Sequence, residues 1–494
     1  MPTPGADVFI GLDLGTSGLK GVAIDHGGVI LASARADYPT ARPEPGASEQ
    51  EPAHWIRALH SVVSELSASV APTRWASIGL SAMIPTLVLA DDEGTPIGPA
   101  ITWEDSRAEA EGELLRDTVG PDLLYQTTGQ WVDGRYLLPM AMRLTTANGR
   151  SNQATQLLGA KDWLFGWLTG SPATDPATAT GSGCFDLASG TWNAQVEESA
   201  HRAVRRQLPR LAQLAESTHV QMLTRAAATS LGLPSDIPVA LGAADAVAGV
   251  LGLGVEDPGD VVYLAGTSTV IIGLGTTPSI DPQHRYLLTP MAFSGYGYEM
   301  DLLATGSGLA WLAQLFAVDG GAAGVSQLAR DVDPHSADVP VFLPYVAPGE
   351  QGALWDPLLT GIVEGLTMRT GPGELVRAFS NGIVLESRRC ISVLDAITPR
   401  RGDIHVAGQG IDSNLLRELA DSTGRVVHQC GDPAAPHSAV GAAAIGAKAV
   451  GALVAIEHRL DDGEVVHPDE AKAEAWALLA SRHDQCRLRN RRSP

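Results

Sequence analysis

The chain has 494 residues, 18% of them charged, and a formal net charge of −22. That length is too great for one compact core and predicts two domains of roughly 200–250 residues. The acidic balance argues against nucleic acid or an anionic membrane as partner, yet permits a small anionic ligand held by backbone amides and a metal.

Val8–Leu12 and Gly21–Ile24 are short apolar runs that read as a hairpin. "GGVILASARADY" continues as a third antiparallel strand. After the loop Pro39–Pro52, the spacing of Trp55, Leu59, Val62, Val63 and Leu66 predicts a helix over Ala53–Val70. Strands follow in "WASIGLSAM" and "PTLVLADDEGTPI", the second ending in a structural Asp91-Asp92-Glu93 turn. Helices are predicted over Asp105–Asp117 and Leu157–Leu168. The apolar runs Pro238–Val255 and Ala439–Ile456, interrupted by Asp245 and Lys448, read as buried helices rather than membrane spans. His437 reads as a capping or surface residue. Strands and helices alternate, so the class is α/β.

After Pro258 a second β-rich start, "GDVVYLAGTSTVIIGLG", repeats the opening device of strand, Gly-Thr-Ser and strand. Two similar domains are therefore expected, with the boundary near Gly242–Pro258. The division adopted is 1–246, 247–456 and a C-terminal helix or charged tail at 457–494, with "CRLRNRRSP" expected to fray. The cysteines Cys184, Cys390, Cys430 and Cys486 are widely spaced, which reads as free thiols in a reducing compartment such as the cytoplasm. The N-terminus "MPTPGADVF" carries no basic region and no apolar signal core.

The first turn reads "FIGLDLGTSGLKGVAID". A tight turn with glycine aims several backbone N–H groups at one point, and such a nest binds an anionic oxygen. Thr16 and Ser17 add hydroxyl donors. Asp13 would repel a phosphate unless a cation lay between them, which implies Mg²⁺ at Asp13. Neither GxxxxGK[ST] nor a helix-opening GxGxxG is present, so a nucleotide must bind by another route. Asp245, in "GAADAVAG" before a helical pattern, fits an N-cap as well as a general base.

These segments together resemble the FGGY family of carbohydrate kinases. Besides the two Gly-Thr-Ser segments, "GASEQEPAHW", "PAITWEDSRA", "LGAKDWLFGWLTG", "LGAADAVAGVLGLGV", "FLPYVAPGEQGALWDPLLTGIVEGLT" and "VAGQGIDSNLLRELADSTGRVV" match its segments in order. The branch of xylulose kinases is nearest, with gluconate kinases second. The resemblance implies two ribonuclease-H-like domains of the actin/Hsp70/sugar-kinase superfamily with a cleft between them. It also implies a small-molecule sugar and ATP as ligands, and family members are frequently dimeric. Asp245 becomes the general base, with Mg²⁺ at Asp13 and phosphates on Thr16, Ser17 and Lys20. Gly266, Thr267 and Ser268 would hold ATP phosphates from the other side. Gly408, Gln409, Gly410 and Asn414 would meet the nucleoside. Met83, Ile84, Trp103, Glu104, Asp105 and Arg107 would face the sugar, together with Asp245.

The sequence departs from the family at several of these positions. Ile84 stands where xylulose kinases carry a histidine, so a hydrogen bond to a sugar hydroxyl is lost. Thr269 replaces the glycine expected after Gly-Thr-Ser, and a β-branched residue resists positive φ, so the second turn is expected to differ. Gln409 replaces one of three glycines. Glu104, where relatives carry asparagine or alanine, disfavours an anionic substrate. The reading is thus a kinase for a ketopentose such as xylulose or a related polyol. The alternatives are a gluconate or other polyol kinase and a non-catalytic nucleotide-binding regulator of the same fold.

Overall fold

The computed structural model describes residues 8–147, 153–347, 352, 354, 359–398, 400–408, 410–430, 432, 435–456 and 463–490. By internal compactness these fall into two units. The first comprises Met1–Gly254, Leu288–Tyr296 and Pro436–Arg459, and the second the remaining segments.

In the first unit, strands β1 (Val8–Leu14), β2 (Gly18–Ile24) and β3 (Ile30–Asp37) form the expected antiparallel meander. Helix α1 (Pro52–Ser69) follows, opened by Pro52, whose missing N–H is harmless in a first turn. Its Trp55, Leu59, Val62, Val63 and Leu66 are buried against the sheet, each stabilising by about 1.5–3 kcal/mol relative to exposure. Strand β4 (Trp75–Ala82) then pairs parallel with β1.

Two apolar runs resolve differently from the sequence reading. Leu157–Leu168 opens in a strand, Gln156–Gly159, before helix α2 (Ala160–Thr169). Pro238–Val255 is strand first, not helix. After β5 (Val220–Met222), β6 (Pro238–Ala244) runs parallel to β4 and gives way to helix α3 (Asp245–Gly252). A strand buried on both faces carries a continuous apolar run, which periodicity does not distinguish from a buried helix. The central sheet therefore has the order β5-β6-β4-β1-β2-β3. The helix expected over Asp105–Asp117 starts only at Glu109, because the Asp105 carboxylate closes a turn by accepting the Arg107 N–H.

The second unit repeats the plan. Strands β7 (Val261–Ala265) and β8 (Thr269–Gly275) form an antiparallel hairpin, followed by β9 (Tyr296–Leu302) and helices α4 (Gly306–Leu315) and α5 (Pro372–Asp395). Strand β10 (Ile404–Gly408) pairs parallel with β7, as β4 does with β1. Helix α6 (Ser413–Thr423) and β11 (Val427–Gln429) continue it. The repeat seen in sequence is thus a repeat of topology, ribonuclease-H-like in both units.

Helix α7 (His437–Ala449) belongs by compactness to the first unit, whereas the division read from the sequence places residues up to 456 in the second domain. It packs across β1, β4 and β6. A Cβ at Gly11 or Gly79 would land on the carbonyl of Ala439 or Ala442 respectively, so glycines in the strands and alanines in the helix permit this close approach. The helix ends at Ala449, short of Ile456.

The C-terminal stretch does not fray where expected. After β12 (Val465–Val466), helix α8 (Ala473–Asn490) buries Trp476, Ala480, His483 and Cys486. Its polar composition concealed one apolar stripe. The last residues of "CRLRNRRSP", 491–494, lie outside the described residues. All four cysteines are buried and none is in a disulfide.

Candidate active site

The first Gly-Thr-Ser turn is held by its carbonyls. Leu14 and Leu19 pair across the hairpin and leave Gly15–Gly18 as the turn, closed by the Gly15 N–H on the Gly18 carbonyl at 3.1 Å. The Gly15 carbonyl accepts the Tyr38 hydroxyl. The Thr16 carbonyl accepts Gln50 Nε2 at 2.7 Å, and the Ser17 carbonyl accepts the Tyr38 N–H at 3.2 Å. In a trans peptide the C=O and the next N–H point in opposite directions. Tying these carbonyls to one side therefore aims the N–H groups of Thr16, Ser17 and Gly18 to the other, as an anion nest requires.

The hydroxyls are polarised as well. Thr16 Oγ1 accepts Trp103 Nε1 at 3.0 Å, and Ser17 Oγ accepts Arg35 Nη2 at 3.0 Å. A hydroxyl that accepts in this way keeps its own proton for another acceptor.

Asp13 is buried near the end of β1. Its Oδ1 accepts the Ser81 hydroxyl at 3.1 Å, and Lys20 lies opposite it in the ladder. Burial raises its pKa, opposed by Lys20 and Ser81. Asp245 is the first residue of α3, at the end of β6. Its Oδ1 accepts the Ala246 N–H at 2.9 Å, and its carbonyl accepts the Ser438 hydroxyl at 2.9 Å. Burial first, and the Asp13 charge second, push its pKa up to about 7. The cap residue of α3 by backbone geometry is Ala244, so the N-cap reading of Asp245 does not hold.

The Asp13 charge raises the proton affinity of Asp245, and carboxylates coupled in this way suit a shared cation. Among the described residues no group of three or more His, Cys, Asp or Glu side chains could hold a metal. Carboxylate oxygens such as those of Asp13 are the hard donors that Mg²⁺ takes, with water and phosphate oxygens as its other ligands.

The residues expected near the sugar separate into two kinds. Met83 is buried in the main core, and Ile84 packs against the cluster around Phe9 and Ala243. Trp103 joins the first Gly-Thr-Ser turn through Thr16. Glu104 accepts Arg42 at 2.9 Å and the Ser48 hydroxyl at 3.3 Å. Asp105 and Arg107 are engaged with each other: Arg107 Nε and Nη2 donate to Asp105, Nη1 to Glu44 and Nη2 also to Glu49. Burial works against the guanidinium charge, yet these bonds hold its pKa above the ordinary arginine value. All its nitrogens face carboxylates of the protein, which marks Arg107 as an organiser of the loop.

In the second unit the turn is shorter. Ala265 pairs with Thr269, leaving only Gly266–Ser268. Thr269 sits in the strand without positive φ, and its hydroxyl bonds Thr305 Oγ1 at 3.0 Å. The expected difference in this turn is therefore one of length. The Thr267 carbonyl accepts the Ser307 N–H from the first turn of α4 at 2.9 Å.

A cavity of about 280 Å³ opens beside this turn. Gly266, Thr269, Gly410 and Asn414 line it, with the ion pair Arg377–Glu418 (2.7 Å) in its wall. Gly408 ends β10 at φ +114°, against Ala265. The cap of α6 is Asp412, which accepts the Leu415 N–H, so Asn414 is a lining residue and not the cap. Gln409 lies outside the described residues, as does much of the "APGEQGALWDP" segment.

Sequence reasoning missed Tyr38, Gln50, Arg35 and Ser81. Each supports an expected site residue from a neighbouring strand or loop, and no motif announces a support of that kind. The faint signal was Gln50, a polar residue just before a proline-opened helix.

The profile described as "FGGY family of carbohydrate kinases, N-terminal domain" matches residues 8–252, and that for the C-terminal domain of the family matches residues 261–450. A xylulose kinase of Lactococcus lactis is 29% identical over 423 residues, covering 83% of this chain and 82% of its own. A glycerol kinase of Gloeobacter violaceus is 30% identical over 434 residues, covering 83% and 82%. The crystal structure of a xylulose kinase from Rhodospirillum rubrum superposes with a TM-score of 0.88 at 30% identity, covering 98% of each chain. No helix among the described residues is long and apolar enough to cross a membrane.

Proposed function

Because the chain belongs to the FGGY family of carbohydrate kinases, we propose that it transfers the γ-phosphoryl group of Mg-ATP to a hydroxyl of a neutral ketopentose such as xylulose, or of a related polyol. The observation that carries this reading is Asp245: a carboxylate at the end of β6 with a pKa near 7, next in charge to Asp13. A base poised near the working pH takes the hydroxyl proton as the new P–O bond forms. Asp13 would hold Mg²⁺, which supplies charge neutralisation on the phosphates when bound. The nest of Thr16, Ser17 and Gly18 receives the oxygens of the transferred group, where preorganised N–H donors act most strongly. In the second unit, Gly266–Ser268 and the cavity beyond them would take the nucleotide.

A neutral acceptor is supported by the two arginines nearest the expected sugar residues, which are engaged by carboxylates of the protein. Arg107 is saturated by Asp105, Glu44 and Glu49, and Arg42 faces Glu104. Gluconate is disfavoured on that ground. Ile84, packed in an apolar cluster, contributes no hydrogen bond to a sugar.

The test is ADP release with Mg-ATP across xylulose, ribulose, pentitols, tetritols, glycerol and gluconate, with Asp245→Ala beside the wild type. Acceleration by one neutral acceptor, absent in the variant, is expected. Acceleration by gluconate above the neutral acceptors would overturn the charge argument. ATP binding without acceleration by any acceptor would turn the reading to a nucleotide-binding regulator.

A further inference from the structure

The Gln50 side chain is 1% exposed and uses every hydrogen-bonding group it has. Trp55 Nε1 donates to its Oε1 at 2.8 Å, which fixes the orientation of the amide. Its Nε2 then donates to the Thr16 carbonyl at 2.7 Å and to Thr40 Oγ1 at 2.8 Å. Gln50 is held in place from two directions. Glu49–Gln50 is a short strand paired with Ala100–Ile101, and helix α1 begins two residues later. Tyr38, at the end of β3, grips the same turn through its hydroxyl on Gly15 and its N–H on Ser17.

We propose that Gln50 and Tyr38 are positioning residues for phosphoryl transfer: they hold the carbonyls of Gly15, Thr16 and Ser17 away from the site and so aim the N–H groups of the turn at the transferred phosphoryl group. The proposal rests on the kinase reading for its place in the reaction, but the anion nest itself does not depend on which acceptor is used. An untethered turn can rotate its peptides and present a carbonyl oxygen to an anion. A tethered one keeps donors in place before the phosphate arrives.

The chemistry of Gln50 makes the inference testable with an isostere. Gln50→Glu keeps the shape and the acceptor for Trp55 but replaces the donor to Thr16 by an oxygen. Tyr38→Phe removes one hydroxyl and is the milder variant should Gln50→Glu fold poorly. Inorganic phosphate is titrated by calorimetry into the full chain already saturated with ADP, with Mg²⁺ present, for the wild type and both variants. We expect phosphate affinity to fall about tenfold or more in Gln50→Glu and by a smaller factor in Tyr38→Phe, with ADP affinity unchanged. With an acceptor found in the panel above, kcat falls in the same order while KM for the acceptor stays constant. Equal phosphate affinity in all three proteins, or no phosphate binding by the wild type, overturns the proposal. Weakened phosphate binding with no acceptor phosphorylated by the wild type would leave the tethering intact and remove the kinase reading instead.

Discussion

The two Gly-Thr-Ser turns start from the same tripeptide on the same topology and end as different devices. In the first, Leu14 pairs with Leu19 and leaves four residues in the turn. In the second, Ala265 pairs with Thr269 and leaves three. The residue after the serine decides this. Gly18 lies against β3, where a Cβ would come within 2.8 Å of the Ala36 carbonyl and 2.7 Å of Asp37. Thr269 borders the cavity of the second unit and bonds Thr305. The residue two before the glycine differs too. Asp13 is a buried carboxylate, whereas the matching position of the second turn is Leu264. One hairpin of the pair thus has a buried acid beside its turn, as the proposed cation site requires, and the other has none.

The sharpest break of this contrast is Asp245→Ala, since the proposed base lies in the first unit. Acceptor-dependent kcat should fall about 10³-fold with ADP affinity retained, read by coupled assay and calorimetry. Next comes Gly18→Thr, which imposes the second turn's residue on the first. The clash with Asp37 and Ala36 should cost about 3 kcal/mol in denaturant unfolding, and activity should be lost.

A third prediction concerns pH. The Asp245 pKa is about 7 in the folded protein against an ordinary 3.8. The folded state therefore holds this proton more tightly than the unfolded state does. The stability so gained is full below about pH 3.8 and is lost as pH rises through about 7. Asp245→Asn should accordingly raise stability by about 2–3 kcal/mol more at pH 8 than at pH 5, both in a chelator. Thermal melts at the two pH values decide it. An equal effect at both would place the carboxylate in water. In the wild type with Mg²⁺, activity should decline on the acid side with a midpoint at or below about pH 7, because a cation beside Asp13 favours ionised Asp245.

The smallest effect belongs to Thr269→Gly, which gives the second turn the first turn's residue. It removes one hydrogen bond and adds backbone freedom, for about 1–2 kcal/mol. A large loss of activity there would mean that the two turns are more alike than their registers suggest.

The sequence alone determined the repeated hairpin, the helix bearing Trp55 and the identities of Asp13 and Asp245, because strand alternation, helical spacing and an acid beside small residues are local signals. It left the strand at Pro238–Ala244 indistinguishable from a helix, because burial on both faces erases periodicity. It also concealed the partnership of α7 with the first unit, which depends on glycines and alanines far apart in the chain meeting backbone to backbone. Only the tertiary structure decided that Arg107 serves Glu44 and Glu49 of a distant loop as well as its neighbour Asp105, and that Gln50 and Tyr38 grip the turn. A hydrogen bond between residues dozens of positions apart has no period and no motif. It exists only once strands and loops have set the donor within 3 Å of its acceptor.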